Sequence, residues 1–481
     1  MIYQVYTDDS KQASNRIELP ASKSLSNRAL IIRALCKGEC QIDNLSDCDD
    51  TRAMLSAFDG DKDTIDIGAA GTSMRFLTAY LACTPGKDVV LTGSDRMKER
   101  PIRILVEALQ KLGADIEYTG NEGFPPLHIR GKQLEGGELS IDGSTSSQYI
   151  SALLMIAPTL NKGLKLTLNG QITSRPYIEM TLSLMQHFGV ESSFEGNVIS
   201  IAPQNYQPAS YRVESDWSAA SYWYETMLLA NKRIKNLTLA GLKADSLQGD
   251  SRVAEYFTEL GIDTKFTEEG AELTYSDRPK PQKVEWDLSG EPDLAQTLIA
   301  SCAGLWIGFH IRGLHTLRIK ETDRLKALHD ELYKFGVNIH IVGDDEAVWD
   351  CNYENYEKKD DSTDDLVYVD PPIVVRTYKD HRMAMAFAPL AFMASDLALA
   401  DAVYIDDPAV VSKSYPDFWK HLEKMCFCIE PIDMSPEAFV EHAKAVEAKQ
   451  TRVRSHAKFV LNTVIVVSIL LLSYLFFKCC R

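Results

Sequence analysis

Residues 99–118, ERPIRILVEALQKLGADIEY, set the reading of this chain. Pro101 opens a helix at its first turn, apolar residues follow at helical spacing, and Gly113 ends it before the extended run ADIEY. The layout recurs in SRPYIEMTLSLMQHFGVESSF (174–194), GDSRVAEYFTELGIDTKF (249–266) and KETDRLKALHDELYKFGVNIHI (320–341). Their arginines, Arg100, Arg175, Arg252 and Arg324, lie 75, 77 and 72 residues apart. Looser copies begin at DDTRAMLSAF (49–58), with Arg52, and DHRMAMAFAPLA (380–391), with Arg382. Six units of alternating strand and helix predict an α/β (α+β) architecture built by duplication, with three units in each of two domains. The boundary falls near QPASYRVESDWSAASYWYE (207–225), where Pro208 breaks the pattern and Ser215-Asp216 caps a new helix.

The 481 residues are enough for two cores, and 45% apolar content is ordinary for globular protein. Net charge is −17, so there is no basic surplus to neutralise phosphates and nucleic acid is excluded as a partner. Local basic clusters therefore stand out. The ten cysteines fit neither paired CxxC zinc spacing nor a small disulfide scaffold, and read as reduced thiols of a cytoplasmic protein. The opening MIYQVYTDDS has no apolar h-region and predicts no secretory signal.

The C-terminus differs in kind. Residues 459–477, FVLNTVIVVSILLLSYLFF, carry no charge and are bounded by Lys458 and Lys478. At ~1.5 Å per residue the run just spans a ~30 Å hydrocarbon core, which predicts a transmembrane tail anchor over 458–478 after a helical linker over 431–457. Arg452, Arg454 and Lys458 outnumber Lys478 and Arg481, which places the large domain on the cytoplasmic side of a membrane tether. The acidic insertion CNYENYEKKDDSTDDL (351–366) is expected to be an exposed loop with no chemistry attached.

Chemistry concentrates at the helix starts. In LPASKSLSNRAL (19–30), Ser22, Ser24, Ser26 and Asn27 crowd around Lys23 and Arg28 where helical spacing begins, which is how an anion-holding helix mouth is written. GAAGTSMRF (68–76) brings Gly71, Thr72, Ser73 and Arg75, and DRMKERPI (95–102) brings Arg96, Lys98 and Arg100. DGSTSSQYISALL (142–154) and TSRPYIE (173–179) add Ser146, Ser147, Gln148, Ser174, Arg175 and Tyr177. In the second half, GEPDLAQ (290–296) places Asp293 at a helix start, KETDR (320–324) joins Lys320, Glu321 and Arg324, and later segments supply His381, Arg382 and Lys413. Capping explains any one of these as well as ligand binding does; their recurrence in unit after unit argues for one anion-lined site with a general acid and a general base. H-E-x-x-H, G-x-S-x-G, P-loop and strand-linked G-x-G-x-x-G motifs are absent, which removes support for metal hydrolysis, serine hydrolysis, ATP use and nucleotide redox chemistry.

SKSLSNR, AGTSMR, RMKERPI, DGSTSSQ, KETDR, DHRMA and DPAVVSKSYPDF, in that order over about residues 14–425, closely resemble the motifs of the EPSP synthase family of enolpyruvyl transferases. The resemblance implies two inside-out α/β barrel-like domains, each of three βαββαβ-like repeats. It assigns 1–20 and 215–430 to the phosphoenolpyruvate-side domain and 21–214 to the shikimate-3-phosphate-side domain. It implies transfer of the enolpyruvyl group of phosphoenolpyruvate to the 5-hydroxyl of shikimate 3-phosphate through a tetrahedral intermediate, in aromatic amino acid biosynthesis, with no metal or organic cofactor.

By that similarity Lys23, Ser24, Arg28, Ser146, Ser147, Gln148, Ser174, Tyr177, Asp293 and Lys320 hold shikimate 3-phosphate. Lys23, Gly71, Arg100, Gln148, Arg324, Arg382 and Lys413 hold phosphoenolpyruvate. Asp293 takes the hydroxyl proton, Glu321 delivers one to the methylene carbon, and Lys23 completes the catalytic set. A monomer is expected. Three features depart from the family pattern: Ala69 and Thr316 stand where asparagines are usual, and the stretch from Arg52 to Gly68 is short, which indicates a trimmed first unit. None of these removes an acid, a base or a cation. Two other readings compete: UDP-N-acetylglucosamine enolpyruvyl transferase, which usually carries a loop cysteine that RMKERPI lacks, and a catalytically silent tail-anchored scaffold, which would have lost its cations or carboxylates.

Overall fold

In the computed structural model, which describes residues 1–60, 62–351, 372–396, 400–435, 438–439 and 441, the repeated layout becomes one motif. Thr64–Asp66 pairs in parallel with Asp88–Thr92 across the helix Gly71–Cys83. After the helix Arg103–Lys111, the strands Asp115–Tyr118 and Leu127–Arg130 return as an antiparallel hairpin onto Asp88–Thr92. Parallel neighbours need a crossover and antiparallel ones only a turn, so the helices fall between the first strands and the hairpin comes last. The unit therefore runs βαβαββ, which corrects the βαββαβ order implied by the resemblance.

Residues 137–201 and 283–349 repeat it with the same strand order. Two more four-stranded sheets are completed from far away in the chain. Arg16–Glu18 joins Asn236–Ala240 in parallel, and Ile2–Thr7 lies between Val403–Asp406 and Phe427–Ile432. The strand Phe427–Ile432 also occupies the first two positions expected for a helical linker.

The sixth sheet is reduced. Among the described residues Gln41–Asp43 pairs only with Ser210–Arg212, and the chain runs from the end of the helix Asp49–Ala57 to Thr64 where four of the other units place a hairpin. The short Arg52–Gly68 stretch has no room for one.

Sequence explains which layer is inside. The first helices of the units, such as Gly71–Cys83, Ser147–Ile156 and Ala295–Gly304, are apolar around most of their circumference and bury almost every residue. The second helices are one-sided: Arg103–Lys111 buries Leu105, Val106, Ala108 and Leu109 and exposes its charges. Two separate cores result, one drawn from residues 29–206 and one from Val5, Ile17 and residues 217–427. In the second, Trp223 is fully buried against Tyr415 and Phe418, and truncating such a side chain costs about 3–5 kcal/mol.

The chain crosses between the cores twice, and the two crossings pair. Ala21 bridges Ser215, Ser22 N–H donates to Glu214 O at 2.8 Å, and Asp216 N–H donates to Pro20 O at 2.9 Å. Asp216 then caps its own helix by accepting from Ala219 N–H and also accepts from Lys23 N–H at 3.1 Å, which ties the starts of two helices in different lobes to one carboxylate.

The transmembrane tail is corrected. No helix among the described residues is long and apolar enough to cross a membrane, and the fold is a mixed α/β architecture without a supported membrane-spanning helix. Residues 459–477 lie outside the described residues, as do most of the 431–457 linker and all but the first residue of the 351–366 insertion. An uncharged run of sufficient length satisfies the span arithmetic without establishing a helix.

Candidate active site

The buried first helices end at a cleft between the two cores, so their free N–H groups and positive dipole ends face it. Lys23 and Ser24 open the helix Lys23–Leu35, capped by Ser22, and both line the cleft. Lys23 Nζ lies 3.5 Å from Asp50, a 3%-exposed carboxylate; burial is the largest influence and opposes the charge, but Asp50, Cys48 and Glu321 together raise the ammonium above its ordinary value. Arg28 also borders the cleft but is occupied: it donates to Thr181 Oγ1, Ser151 Oγ and Ser24 O.

Ser146 caps the helix Ser147–Ile156, whose Gln148 donates to Thr72 Oγ1 at 3.2 Å. Ser174 has a left-handed backbone, φ 53°, and its N–H donates across the lobes to Ser289 O at 2.7 Å. Tyr177 Oη donates to Asp250 Oδ1 at 2.5 Å, again across the lobes. The Arg100 guanidinium packs directly on Gly71, in the space that a Cβ there would take.

The opposite wall carries the two carboxylates. Asp293 accepts from Arg324 at 3.1 Å and Arg382 at 3.1 Å, with Lys320 at 3.3 Å. Glu321 sits 2.6 Å from Lys413, 2.9 Å from Arg324 and 3.9 Å from Arg100 of the other lobe. Burial alone would raise both carboxyls. For Asp293, Arg382, Lys320 and Arg324 outweigh it, and for Glu321, Lys413, Arg324 and Arg100 do, so both stay ionised well below the usual range. His381, buried beside Lys23 and Lys413, has its pKa lowered well below the ordinary value by burial and by those cations, and is neutral. Burial also lowers the Lys320 ammonium.

Every residue that the resemblance assigns to a substrate or to catalysis lines this one cleft or, for Lys413, pairs with a residue that does. Ser73, Lys98 and Arg175, gathered from the same helix starts, do not line it: Ser73 donates to Asp50 O, Lys98 pairs with Asp95 and Arg175 with Glu179. The family model described as EPSP synthase (3-phosphoshikimate 1-carboxyvinyltransferase) matches residues 7–60 and 58–422. The chain belongs to the EPSP synthase family.

Two relatives named 3-phosphoshikimate 1-carboxyvinyltransferase support the EPSP synthase assignment. One, from Bacteroides fragilis strain YCH46, is 49% identical over 420 residues, which span 87% of this chain and 97% of that protein. One from Haemophilus influenzae is 34% identical over 447 residues, covering 85% and 96%. The solved EPSP synthase from Acinetobacter baumannii overlays 89% of this chain and 100% of its own with a TM-score of 0.67, at 21% identity, a likeness of fold.

Three buried aspartates were missed in the sequence: Asp50 against Lys23, Asp250 against Tyr177, and Asp380, which accepts from Arg324 Nε at 2.7 Å. All three sit two positions before a reference arginine, in Asp50-Thr51-Arg52, Asp250-Ser251-Arg252 and Asp380-His381-Arg382. That D-x-R pattern was the available signal. Burial, followed by the charge of Asp293, pushes the Asp250 carboxyl up to about 6.

Proposed function

We propose that this chain transfers the enolpyruvyl group of phosphoenolpyruvate to the 5-hydroxyl of shikimate 3-phosphate and releases phosphate. One observation carries the reading: two partly buried carboxylates, Asp293 and Glu321, share Arg324 and are ringed by the cations that two doubly anionic substrates require.

Shikimate 3-phosphate is assigned to Lys23, Ser24, Arg28, Ser146, Ser147, Gln148, Ser174, Tyr177, Asp293 and Lys320. Its phosphate meets the helix mouth at Ser147, and Thr316, whose buried hydroxyl has no partner at the cleft wall, contributes to the sugar-like ring in place of an amide. Phosphoenolpyruvate is assigned to Gly71, Arg100, Arg324, Arg382 and Lys413, with Lys23 and Gln148 reaching it. On this division 21–214 is the acceptor-side domain and 1–20 with 215–430 the donor-side domain. The chain acts as a monomer in the cytoplasm.

Asp293, already ionised, accepts the 5-hydroxyl proton as the oxygen bonds C2 of the donor. Glu321 must carry a proton to protonate C3, and donor binding supplies the means. Its phosphate and carboxylate engage Lys413, Arg324 and Arg100, the same cations that hold Glu321 ionised, so Glu321 becomes easier to protonate. The tetrahedral adduct then collapses: C3 returns a proton to the Glu321 carboxylate, the C2–O bond to phosphate breaks, the departing phosphate takes up the proton that Asp293 had accepted, and cations stabilise the anion released. Each proton transfer contributes roughly 10²–10⁴ in rate.

The test is steady-state phosphate release from phosphoenolpyruvate with either acceptor. Release with shikimate 3-phosphate and none with UDP-N-acetylglucosamine is expected. Release with only the UDP-sugar, or with neither, would overturn the proposal.

A further inference from the structure

Arg75 takes no part in the assignments above, yet it is 4% exposed, directly behind the donor half of the site. Its guanidinium makes no ion pair among the described residues. Instead it donates to Gly71 O at 3.1 Å and Pro101 O at 3.1 Å, touches Met97 Sδ at 3.6 Å, and lies over the Tyr149 ring at 5.8 Å. Tyr149 Oη donates to the same Pro101 carbonyl at 2.5 Å. Burial and the neighbouring Arg100 lower the Arg75 pKa to about 10, so the cation is held against both. A buried cation paired only with neutral carbonyls is a poor way to fill a core, where an apolar side chain would pack without the desolvation cost.

The carbonyls it holds give the reason. Gly71 starts the helix Gly71–Cys83, and Pro101 follows Arg100 in the loop between the short helix Asp95–Lys98 and the helix Arg103–Lys111. The Arg100 guanidinium packs directly on Gly71, where a Cβ would collide with it. Arg75, one turn below Gly71 on the same helix, therefore fastens the peptide next to Arg100 to the peptide on which the Arg100 side chain rests.

We infer that Arg75 is a positioning residue for the phosphoenolpyruvate half-site: with Tyr149 it clamps the 99–102 loop onto the start of the Gly71–Cys83 helix, and so fixes Arg100 before the donor arrives. Arg100 is then aimed across the cleft at Glu321, 3.9 Å away, without ordering a loop at the moment of binding. The inference rests on the proposed donor assignment of Arg100, but the clamp itself can be read without substrate.

The variants are Arg75→Met, Arg75→Lys and Tyr149→Phe, examined first by amide hydrogen exchange of the ligand-free protein. Exchange of the Arg100 and Ile102 amides, which donate to Met97 O and Gly123 O, is expected to accelerate at least tenfold in Arg75→Met and to a lesser degree in Tyr149→Phe. In turnover, Arg75→Met should raise KM for phosphoenolpyruvate by about 10²-fold while KM for shikimate 3-phosphate changes less than about threefold. Arg75→Lys should recover only part, because one ammonium restores the charge but lacks the planar fork that bridges both carbonyls. Unchanged exchange, equal rises in both KM values, or full recovery by Arg75→Lys would each overturn the clamp. If Arg75→Met does not fold, Tyr149→Phe decides by the same exchange and KM split. A wild-type protein that releases no phosphate, with exchange changing as expected, would instead defeat the donor assignment and leave the clamp standing.

Discussion

Lys413 Nζ lies 2.6 Å from Glu321 Oε1 and is the strongest of the cations that hold this partly buried acid ionised. The pair joins the 3-10 turn Pro408–Lys413 to the KETDR segment and leaves the carboxylate dependent on a residue that the proposed donor site also uses. Lys413→Gln should therefore raise the Glu321 pKa. The limb of kcat/KM for phosphoenolpyruvate along which activity falls as pH rises, followed from pH 4 to 10, should move to higher pH, and the plateau should fall about 10²-fold. An unmoved limb would separate Glu321 from the proton chemistry.

Asp293 neutralises part of the charge on Lys320, Arg324 and Arg382 at once. Asp293→Asn keeps the shape and removes the charge. It should lower kcat by roughly 10²–10⁴ while phosphoenolpyruvate binds more tightly, since three cations lose an internal competitor. Paired kcat measurements and calorimetric titrations check both directions; an unchanged kcat would remove Asp293 as the base.

Glu225 lies within the helix Trp217–Leu229, fully buried, with neither carboxyl oxygen hydrogen-bonded. Burial raises its pKa well above the ordinary carboxyl value. The native state thus binds a proton that the unfolded chain releases, so this contribution to stability is complete below the unfolded pKa and declines as pH rises toward the folded one. The decline is at most about 1.4 kcal/mol per pH unit. Glu225→Gln should flatten it: the variant gains in melting temperature over wild type between pH 5 and 8, with little gain below pH 4.

Arg96 crosses the cleft to donate to Glu321 O at 3.0 Å and Lys320 O at 3.3 Å, and its side chain is 45% exposed. Contacts of that kind are worth about 0–1 kcal/mol. Arg96→Ala should raise both KM values up to about fivefold with kcat retained. A loss of 100-fold would mean that closure depends on this one contact.

The architecture was legible because its periodicity is strong: helical spacing ended by Gly113, by Gly189 or by Gly261 fixes where each second helix stops. Arg52 and Gly68, so close in sequence, announced the unit that lacks a hairpin. The order of strands within a unit was not legible, because sheet partners such as Ile2–Thr7 and Phe427–Ile432 lie at opposite ends of the chain.

At the site, Lys23, Ser146 and Glu321 were visible because hydroxyls and cations gather where helices begin. Asp50, Asp250 and Asp380 were not, since a lone acid beside a helix start reads as an ordinary N-terminal charge until its burial is known. The apolar run at 459–477 shows the converse: composition met the length requirement, but no described helix supports a membrane span.

Solvent-deuterium incorporation tests the proton chemistry most directly. With phosphoenolpyruvate and shikimate 3-phosphate in D₂O, addition through Glu321 turns the donor methylene into a methyl carrying one deuteron, and elimination leaves part of it in the product. Deuterium at the methylene of the enolpyruvyl product, with product formation abolished or greatly slowed in Glu321→Gln, is the predicted result; product formed at the wild-type rate with no deuterium on that carbon would contradict the account.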